Sequence, residues 1–313
     1  MAKVIFQLEI VAIASEVFVM PLGERLLGAR DYKLIEQFSL AAKRRLSGLA
    51  TGEQRSPALG GGIEFADYRE YQPGDDVRRI DWAVFLRLRR LLIKLSAEEK
   101  ELTLMIILDG SRSMWFGQPD KARESARLAA ILAGIALHGG NRAGILTLGP
   151  QLGEVIRPER SRTSMPALTA ALSRLEPLEG INPAHCMKQF AAKYSHKCIV
   201  VLISDLLFPQ WPQTLSGLAN SGCEGYVLQM LAPEELDPSC VGEVTLVDLE
   251  DQSEVPLHIG RELTLRYRRE LAAFIREIRR VCQRHGLRHT MVSTGMSLER
   301  VLYEDLSRGG LLC

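Results

Sequence analysis

Two unbroken apolar runs constrain this fold more than any other feature: LTLMIILD at residues 102–109 and CIVVLISD at residues 198–205. Each has the length of a strand and lacks alternating polar residues, which is typical of strands buried on both faces of a parallel sheet. An amphipathic segment of helix length, residues 121–137, follows the first run. Strands that alternate with helices in this way predict βαβ units. We therefore expect an α/β fold with a doubly wound, mostly parallel, Rossmann-like sheet over residues 101–313.

The other elements of this domain follow from the same patterns. Two alternating segments around a turn-forming cluster predict a β-hairpin inserted at about residues 242–259. The helix after it has one apolar face and should end near Gly286. We also expect strands at 142–149, 153–158, 223–230 and 288–292, and helices at 163–175, 183–194, 211–221 and 297–307.

The front of the chain has a different character. Residues 1–23 form a tail or an extra strand in our interpretation, and residues 24–100 a separate N-terminal segment, with a helical pattern at 24–50 and an alternating stretch at 87–94 that predicts a strand. The first 20 residues are apolar, yet polar residues interrupt them before they reach the ~18 residues of a membrane helix. A cleaved signal, or a start codon read in error upstream of Met20, stays an alternative.

Composition excludes several classes of protein. A hydrophobic fraction of 46% and a charged fraction of 25% are ordinary for globular chains and argue against disorder or a mainly membrane-embedded protein. Lys and Arg number 39 against 38 Asp and Glu, so no overall field attracts nucleic acid or lipid. The six cysteines form no CxxC pair, which excludes a zinc ribbon or a disulfide scaffold. We expect reduced thiols and a cytoplasmic protein.

Both apolar runs end in an aspartate, and this pattern carries the chemistry. Asp109 opens the sequence Asp-Gly-Ser-Arg-Ser, which adds the hydroxyls of Ser111 and Ser113, and Asp205 ends the second run. Ligands bind at the carboxyl ends of strands in open parallel sheets. Hard oxygen ligands of this kind suit Mg²⁺ or Mn²⁺. Alternatively, the two aspartates only cap the helices that follow them.

The Asp-x-Ser-x-Ser pattern after a buried strand resembles the metal-ion-dependent adhesion site (MIDAS) of von Willebrand factor type A domains. That resemblance implies a metal site formed by Asp109, Ser111, Ser113 and Asp205. A second loop of that family normally supplies a threonine. The equivalent stretch here is Gly180-Ile181-Asn182, and isoleucine cannot bind a metal, so Asn182 or water would have to replace the missing ligand.

The block GIEFADYREYQPGDDVRRIDW at residues 62–82 resembles the hallmark of a bacterial family known as domain of unknown function fifty-eight, or DUF58. The resemblance extends over about residues 30–310. It implies a non-enzymatic adaptor or chaperone-like partner of a MoxR-type AAA+ ATPase. Many members carry two transmembrane helices ahead of the shared region, and this chain resembles the form without them.

Charged and aromatic side chains of this block could serve a partner or the fold. The candidates for partner binding are Arg69, Asp75, Asp76, Arg78, Asp81 and Trp82. The alternative is an ion-pair lattice that joins the front segment to the sheet. If the metal site is degenerate, the surface Glu64–Trp82 is our second candidate for a metal-free interaction scaffold.

Enzymes and nucleic-acid modules fit the sequence less well. A haloacid-dehalogenase-type phosphatase needs a second acid where Ser111 stands, and neither a GxSxG elbow nor a P-loop is present. His285 and His289 are separated by Gly286, which makes a zinc pair improbable. Nine arginines between residues 261 and 288 alternate with glutamates, which is typical of a solvated helix face. We therefore expect a non-enzymatic protein-binding adaptor that uses Mg²⁺ or Mn²⁺.

Overall fold

The computed structural model describes residues 26–41, 65–72, 77, 80–96, 102–160, 165–194, 198–238, 242–247 and 254–313. The chain divides into two compact units. One consists of Met1–Arg45 together with Leu102–Cys313, and the other of Leu46–Glu101. The predicted tail at residues 1–23 lies outside the described residues.

A six-stranded sheet organises the first unit. Its strands are β3 (Thr103–Asp109), β4 (Arg142–Leu148), β5 (Leu152–Glu159), β6 (Cys198–Ser204), β7 (Glu224–Leu231) and β10 (Arg288–Ser293). The order across the sheet is β10-β7-β6-β3-β4-β5. All neighbours are parallel except β4 and β5, which pair antiparallel at one edge. The predicted mostly parallel sheet is confirmed.

Helices cover both faces of this sheet, so each face has its own apolar core. Along β3, Leu104 and Ile106 belong to one core, whereas Met105 and Ile107 belong to the other. This split follows from the pleat, because successive side chains of a strand point to opposite faces. It explains why β3 and β6 read as unbroken apolar runs, and it confirms the doubly wound fold.

The described helices agree closely with the sequence pattern, except that the helix predicted from the pattern at 24–50 ends at Gln37 and residues 38–41 are not helical. They are α1 (Ala29–Gln37), α3 (Lys121–His138), α4 (Met165–Leu172), α5 (Pro183–Tyr194), α6 (Trp211–Ala219), α7 (Pro233–Leu236), α8 (Arg261–Arg284) and α9 (Leu298–Arg300), which continues as a π-helical turn over Val301–Leu306. Helix α1 packs on α3, where Gly134 lies against Ile35. Asp31 on α1 also pairs with Arg127 on α3, at 2.8 Å.

Two strands form the hairpin that was predicted at about residues 242–259. Strand β8 (Gly242–Val247) pairs antiparallel with β9 (Glu254–Ile259), and Gly242 lies opposite Ile259. Helix α8 begins two residues later, after its N-cap residue Gly260.

The second unit contains β1 (Phe65–Glu70), α2 (Trp82–Leu88) and β2 (Leu92–Ser96), with β1 and β2 antiparallel. The prediction of a strand over residues 87–94 is wrong at its start. Asp81 accepts the backbone N–H groups of Ala83 and Val84, both at 3.1 Å, and this N-cap sets a helix that extends to Leu88. The strand begins only at Leu92.

Candidate functional site

The candidate site lies at the carboxyl end of the two central strands. Strand β3 ends at Asp109 and its neighbour β6 ends at Ser204, directly before Asp205. Helical connections leave these two strands toward opposite halves of the sheet, so this is the topological switch point where such folds bind ligands. The predicted strand ends therefore do meet.

Asp109 is nearly buried and is held on both of its carboxylate oxygens. Oδ1 accepts the backbone N–H of Ser111 at 2.9 Å, and Oδ2 accepts a short hydrogen bond from the Ser204 hydroxyl. Burial, followed by the charge of Asp205, raises the pKa of Asp109 to about 6. This side chain is thus a carboxylate that lacks full compensation of its negative charge.

Asp205 lies beside the two serines of the loop. Ser113 donates a hydrogen bond to Asp205 Oδ2 at 2.9 Å, and the hydroxyls of Ser111 and Ser113 are 3.0 Å apart. The other oxygen, Asp205 Oδ1, accepts the N–H of Leu207 at 3.0 Å. The structure therefore brings together all four residues of the predicted metal site.

A lysine that the sequence analysis missed completes this cluster. Lys121, the first residue of α3, has a fully buried side chain whose Nζ lies 2.7 Å from Asp205 Oδ2 and 2.5 Å from Glu235 Oε1. Glu235 belongs to α7, and its other oxygen accepts the N–H of Ala232 at 2.7 Å. Burial alone would lower the pKa of Lys121, but Asp205 and Glu235 together raise it above its usual value, so the ammonium stays charged.

One weak signal for Lys121 was present in the sequence. A cation in the first turn of a helix opposes the helix dipole, so lysine at that position needs a nearby anion. No comparable signal existed for Glu235, because α7 is only four residues long and too short to show a periodic pattern.

Backbone strain marks the same place. Leu206, directly after Asp205, is fully buried and has a φ of 60°, in the left-handed region that side chains other than glycine seldom adopt. Such strain is concentrated at functional sites because the surrounding structure must enforce it. Here the N–H of Leu206 bonds to Ser204 Oγ at 2.9 Å, and this contact helps to hold the turn.

The alternative that both aspartates cap the next α-helices is not what the structure shows. Asp120 is the N-cap of α3 and accepts the N–H of Arg123, and Gln210 precedes α6 at its N-cap position. Asp109 and Asp205 instead bond within their own loops and with each other's serines.

The loop that should supply a threonine offers no such ligand. Ile181 packs against the apolar core on the α5 face of the sheet. Asn182 accepts the N–H of His185 through Oδ1, at 3.2 Å, so that oxygen is used at the start of α5. The loop that contains Ile181 therefore supplies no side-chain oxygen in place of the missing threonine.

The residues present still fit a divalent cation in their chemistry. Lys121 pairs with Asp205 and Glu235, while the nearby charge of Asp205 raises the pKa of Asp109, so the negative charge at the site is not fully compensated. Within the described residues, no group of three His, Cys, Asp or Glu side chains converges as a metal site, so a cation here would rely on hydroxyls. Asp109, Ser111 and Ser113 supply such oxygens, whereas Asp205 is already paired with the ammonium of Lys121.

The second candidate surface is only partly described. Asp75, Asp76 and Arg78 lie outside the described residues, and Arg69 is described by its backbone in β1 alone. Asp81 caps α2, which gives it a structural role. Trp82 is 57% exposed and touches Phe85 edge-on at 6.0 Å between ring centroids. Exposed apolar side chains surround it in sequence: Val77, Leu86, Leu88 and Leu91.

The remaining sequence candidates do not assemble into sites. His285 Nε2 lies 3.3 Å from Ser216 Oγ. His289 is partly buried, and its Nε2 lies 3.1 Å from Gln229 Oε1, so the two histidines have different partners. On α8, Arg268 pairs with Asp237, and Arg280 and Arg284 both pair with Glu277. Those pairs agree with the predicted solvated face.

Comparison with known proteins places these features in a family. Residues 67–279 match the family described as "Protein of unknown function DUF58". An uncharacterized protein of Mycobacterium tuberculosis and one of Mycobacterium bovis are each 29% identical over 229 residues, covering 69% of this chain and 70% of theirs.

Solved structures were compared as well. BatB from Bacteroides thetaiotaomicron has a TM-score of 0.43 at 13% identity, covering 66% of this chain and 98% of that one. A von Willebrand factor type A protein from Catenulispora acidiphila has a TM-score of 0.40 at 13% identity, covering 70% and 43%. The strand order and the Asp-x-Ser-x-Ser loop of this chain themselves carry the von Willebrand factor A-like assignment. Among the described residues, no helix is long and apolar enough to cross a membrane.

Proposed function

This chain belongs to the DUF58 family, and from that premise we propose that it is a non-enzymatic protein-binding adaptor whose partner docks at the carboxyl edge of the central sheet. One observation carries the proposal: Asp109, Ser111, Ser113 and Asp205 converge there on a strained loop held by a buried lysine. The family resemblance supplies the partner class, a MoxR-type AAA+ ATPase or its client.

The arrangement lacks the parts of the enzymes considered above. Ser111 and Ser113 bond to each other, and Ser113 donates to Asp205, whose carboxylate is paired with Lys121 and is a weaker base than the histidine that commonly activates a serine nucleophile. Asp109 has no second acid two residues later. Its raised pKa reflects burial and the like charge of Asp205.

In the finer form of the proposal, Asp109, Ser111 and Ser113 hold Mg²⁺ or Mn²⁺. Bound there, the cation would leave a coordination position open to an acidic side chain of the partner. Asp205 positions Ser113 through their hydrogen bond, and Lys121 keeps Asp205 in place. Ile181 offers no ligand, so water would have to complete the coordination, and we expect weak affinity for the metal.

The test measures binding of a purified MoxR-type ATPase from the same organism to the immobilised full chain, with Mg²⁺ or with EDTA. Asp109→Asn keeps the shape of the side chain and removes its charge. We expect that variant and EDTA each to weaken binding by tenfold or more. The matched control is Glu179→Gln, an exposed carboxylate paired with Arg112 near the loop, and it should bind like the wild type.

A second candidate surface has its own observation. The exposed Trp82 and Leu86 of α2 are large apolar side chains in water, which is typical of binding surfaces. If binding survives EDTA and Asp109→Asn but fails with Trp82→Ala or Leu86→Ala, the metal-free scaffold is correct. Leu265→Ala, an exposed leucine on α8, is the control for those two variants. If no variant changes the binding, or the ATPase does not bind, the adaptor proposal fails.

A further inference from the structure

Two cysteines face each other at the amino-terminal ends of β6 and β7, whereas the candidate site lies at the carboxyl ends of the strands. Cys198 is the first residue of β6, and Cys223 directly precedes β7. The parallel register pairs Ile199 with Glu224, so the cysteines are the preceding neighbours on adjacent strands. Paired residues on adjacent strands have the Cα separation that a disulfide requires, about 4.4–6.8 Å.

The side chains already point at each other. The two Sγ atoms are 2.6 Å apart, so only a small movement separates them from the ~2.05 Å of a disulfide. Both sulfurs also lie against the same backbone oxygen: the Tyr194 carbonyl is 3.7 Å from Cys198 Sγ and 3.4 Å from Cys223 Sγ. The end of α5 therefore holds the pair in one orientation.

Exposure distinguishes this pair from the buried cysteines of the described chain. Cys186 and Cys282 are buried, whereas Cys198 and Cys223 are only partly covered. Both residues are therefore partly accessible to solvent in the folded protein. Neither cysteine belongs to the Asp109 cluster or to the surface around Trp82.

We propose that Cys198 and Cys223 form a reversible dithiol–disulfide site that takes a small-molecule disulfide, such as oxidised glutathione, as its oxidant. The thiolate of one cysteine attacks the reagent, which releases one reduced glutathione and leaves a mixed disulfide. The second cysteine, as its thiolate, then displaces the second glutathione. The protein loses two protons and two electrons, and one reagent disulfide becomes two thiols.

The environment sets the rate of this exchange. The hydrogen bond with Cys223, together with burial, raises the pKa of Cys198, so this thiol is protonated at neutral pH. Attack requires the thiolate, and exchange should therefore be slow at pH 7 and faster at pH 8.5. Once formed, the bond joins two segments 25 residues apart in sequence and restricts the unfolded chain more than the folded one.

The experiment equilibrates the native full chain with mixtures of oxidised and reduced glutathione, followed by acid quenching, mass measurement and thiol counting. We expect a product about 2 Da lighter, with four of the six thiols left, a peptide cross-linked between Cys198 and Cys223, and full reversal by dithiothreitol. The oxidised protein should melt several degrees higher.

Controls separate this site from general thiol oxidation. Cys198→Ser and Cys223→Ser should each abolish the light product, whereas Cys313→Ser, which removes an exposed thiol, should leave it unchanged. Cys223→Ala provides a second variant if the serine variant folds poorly. Six intact thiols at equilibrium, a product that stops at mixed disulfides, or a cross-link between other cysteines would each overturn the proposal, and none of these outcomes bears on partner docking.

Discussion

At the scale of single residues, the candidate site depends on one charge arrangement. Lys121 joins two buried carboxylates, Asp205 and Glu235, while the third, Asp109, lies beside them with its negative charge uncompensated. A buried ion pair adds little net stability, but removing one partner leaves a charge in a low dielectric. The cluster therefore constrains loop geometry at the expense of stability.

Replacement of Lys121 by methionine should destabilise the protein by about 3–5 kcal/mol, because Asp205 and Glu235 would lose their counter-ion. Denaturant unfolding at pH 7 measures this change. Lys193→Met is the matched control: Lys193 pairs with Glu154 at 2.5 Å but is 59% exposed, and its loss should cost less than about 1 kcal/mol. Equal costs for the two variants would contradict the assigned role of Lys121.

Asp109→Asn should stabilise the metal-free protein at neutral pH. The pKa of Asp109 is raised from 3.8 to about 6 on folding, so between those values the folded state binds a proton that the unfolded state has released. Stability of the wild type therefore falls as pH rises through this window. Unfolding in EDTA should show the variant's advantage growing from pH 4 to pH 7, to the order of 3 kcal/mol. Parallel pH profiles would show that the charge costs nothing.

His289 titrates with the opposite sign. Burial and the charge of Arg279 lower its pKa from 6.5 to about 4, so the folded state keeps this imidazole neutral. Its contribution is fully present above pH 6.5 and is lost as pH falls toward 4. Wild-type stability should therefore decline over that range more steeply than that of His289→Gln, in thermal unfolding at matched ionic strength. A variant that loses stability at the same rate would contradict this assignment.

The limits of sequence reasoning at this scale are physical. Asp109, Ser113 and Asp205 could be predicted to meet because parallel strands end at a common edge. Lys121 and Glu235 could not, because their contact depends on the path of the chain between β7 and β8 and on the start of α3. Hydrophobic periodicity shows which face of a helix or strand is buried, but it does not show how the chain runs between β7 and β8.

At the scale of elements, the bounds of helices and strands could be predicted from the sequence where local capping agreed with the periodic pattern. Helix α5 begins and ends at the predicted residues, 183 and 194, because its apolar periodicity and the helix-breaking residues around it indicate the same bounds. The stretch at 87–94 alternates like a strand, yet the cap from Asp81 extends a helix to Leu88. The two hydrogen bonds to the Asp81 side chain thus decided the local structure, although the apolar and polar residues alternate as in a strand.

The contact between α1 and α3 gives a prediction at this scale. A Cβ added at Gly134 would lie 2.6 Å from Ile35 Cδ1. Alanine in a helix is normally more favourable than glycine by about 1 kcal/mol, but overpacking costs ~1–3 kcal/mol. We therefore expect Gly134→Ala to lower the melting temperature, and Ile35→Val in the same chain to restore it in part, because valine lacks Cδ1 but keeps Cγ1, 2.9 Å from the added Cβ. Ile35→Val alone is the control, and stabilisation by Gly134→Ala alone would contradict the packing.

At the scale of the whole molecule, the chain is a sheet unit interrupted by an insertion. Leu46–Glu101 forms its own unit, whereas the segments before and after it belong together. The family match begins at residue 67 and therefore includes more than half of the insertion and most of the sheet unit. Composition and pattern located the start of the sheet, but they could not show that residues ahead of residue 46 return to it.

This division predicts that residues 46–101 can be replaced by a flexible glycine–serine linker of about 12 residues. The remaining unit should unfold cooperatively and keep its circular dichroism spectrum, because its two cores lie within it. Binding of the ATPase should persist if Asp109 is the docking point and disappear if Trp82 is. Loss of cooperative unfolding would show that the sheet unit needs its insertion.

The contact between the front segment and the end of the chain also affects folding during synthesis on the ribosome. Ser39 exchanges two backbone hydrogen bonds with Cys313, and the N–H of Ala41 donates to the carbonyl oxygen of Leu311, some 270 residues later. At translation rates of about 5–20 residues per second, the front segment waits roughly 15–50 s for these partners to emerge. During that interval the apolar side of α1 has no complete core to join, and we expect chaperones at the ribosomal tunnel exit to bind the nascent chain.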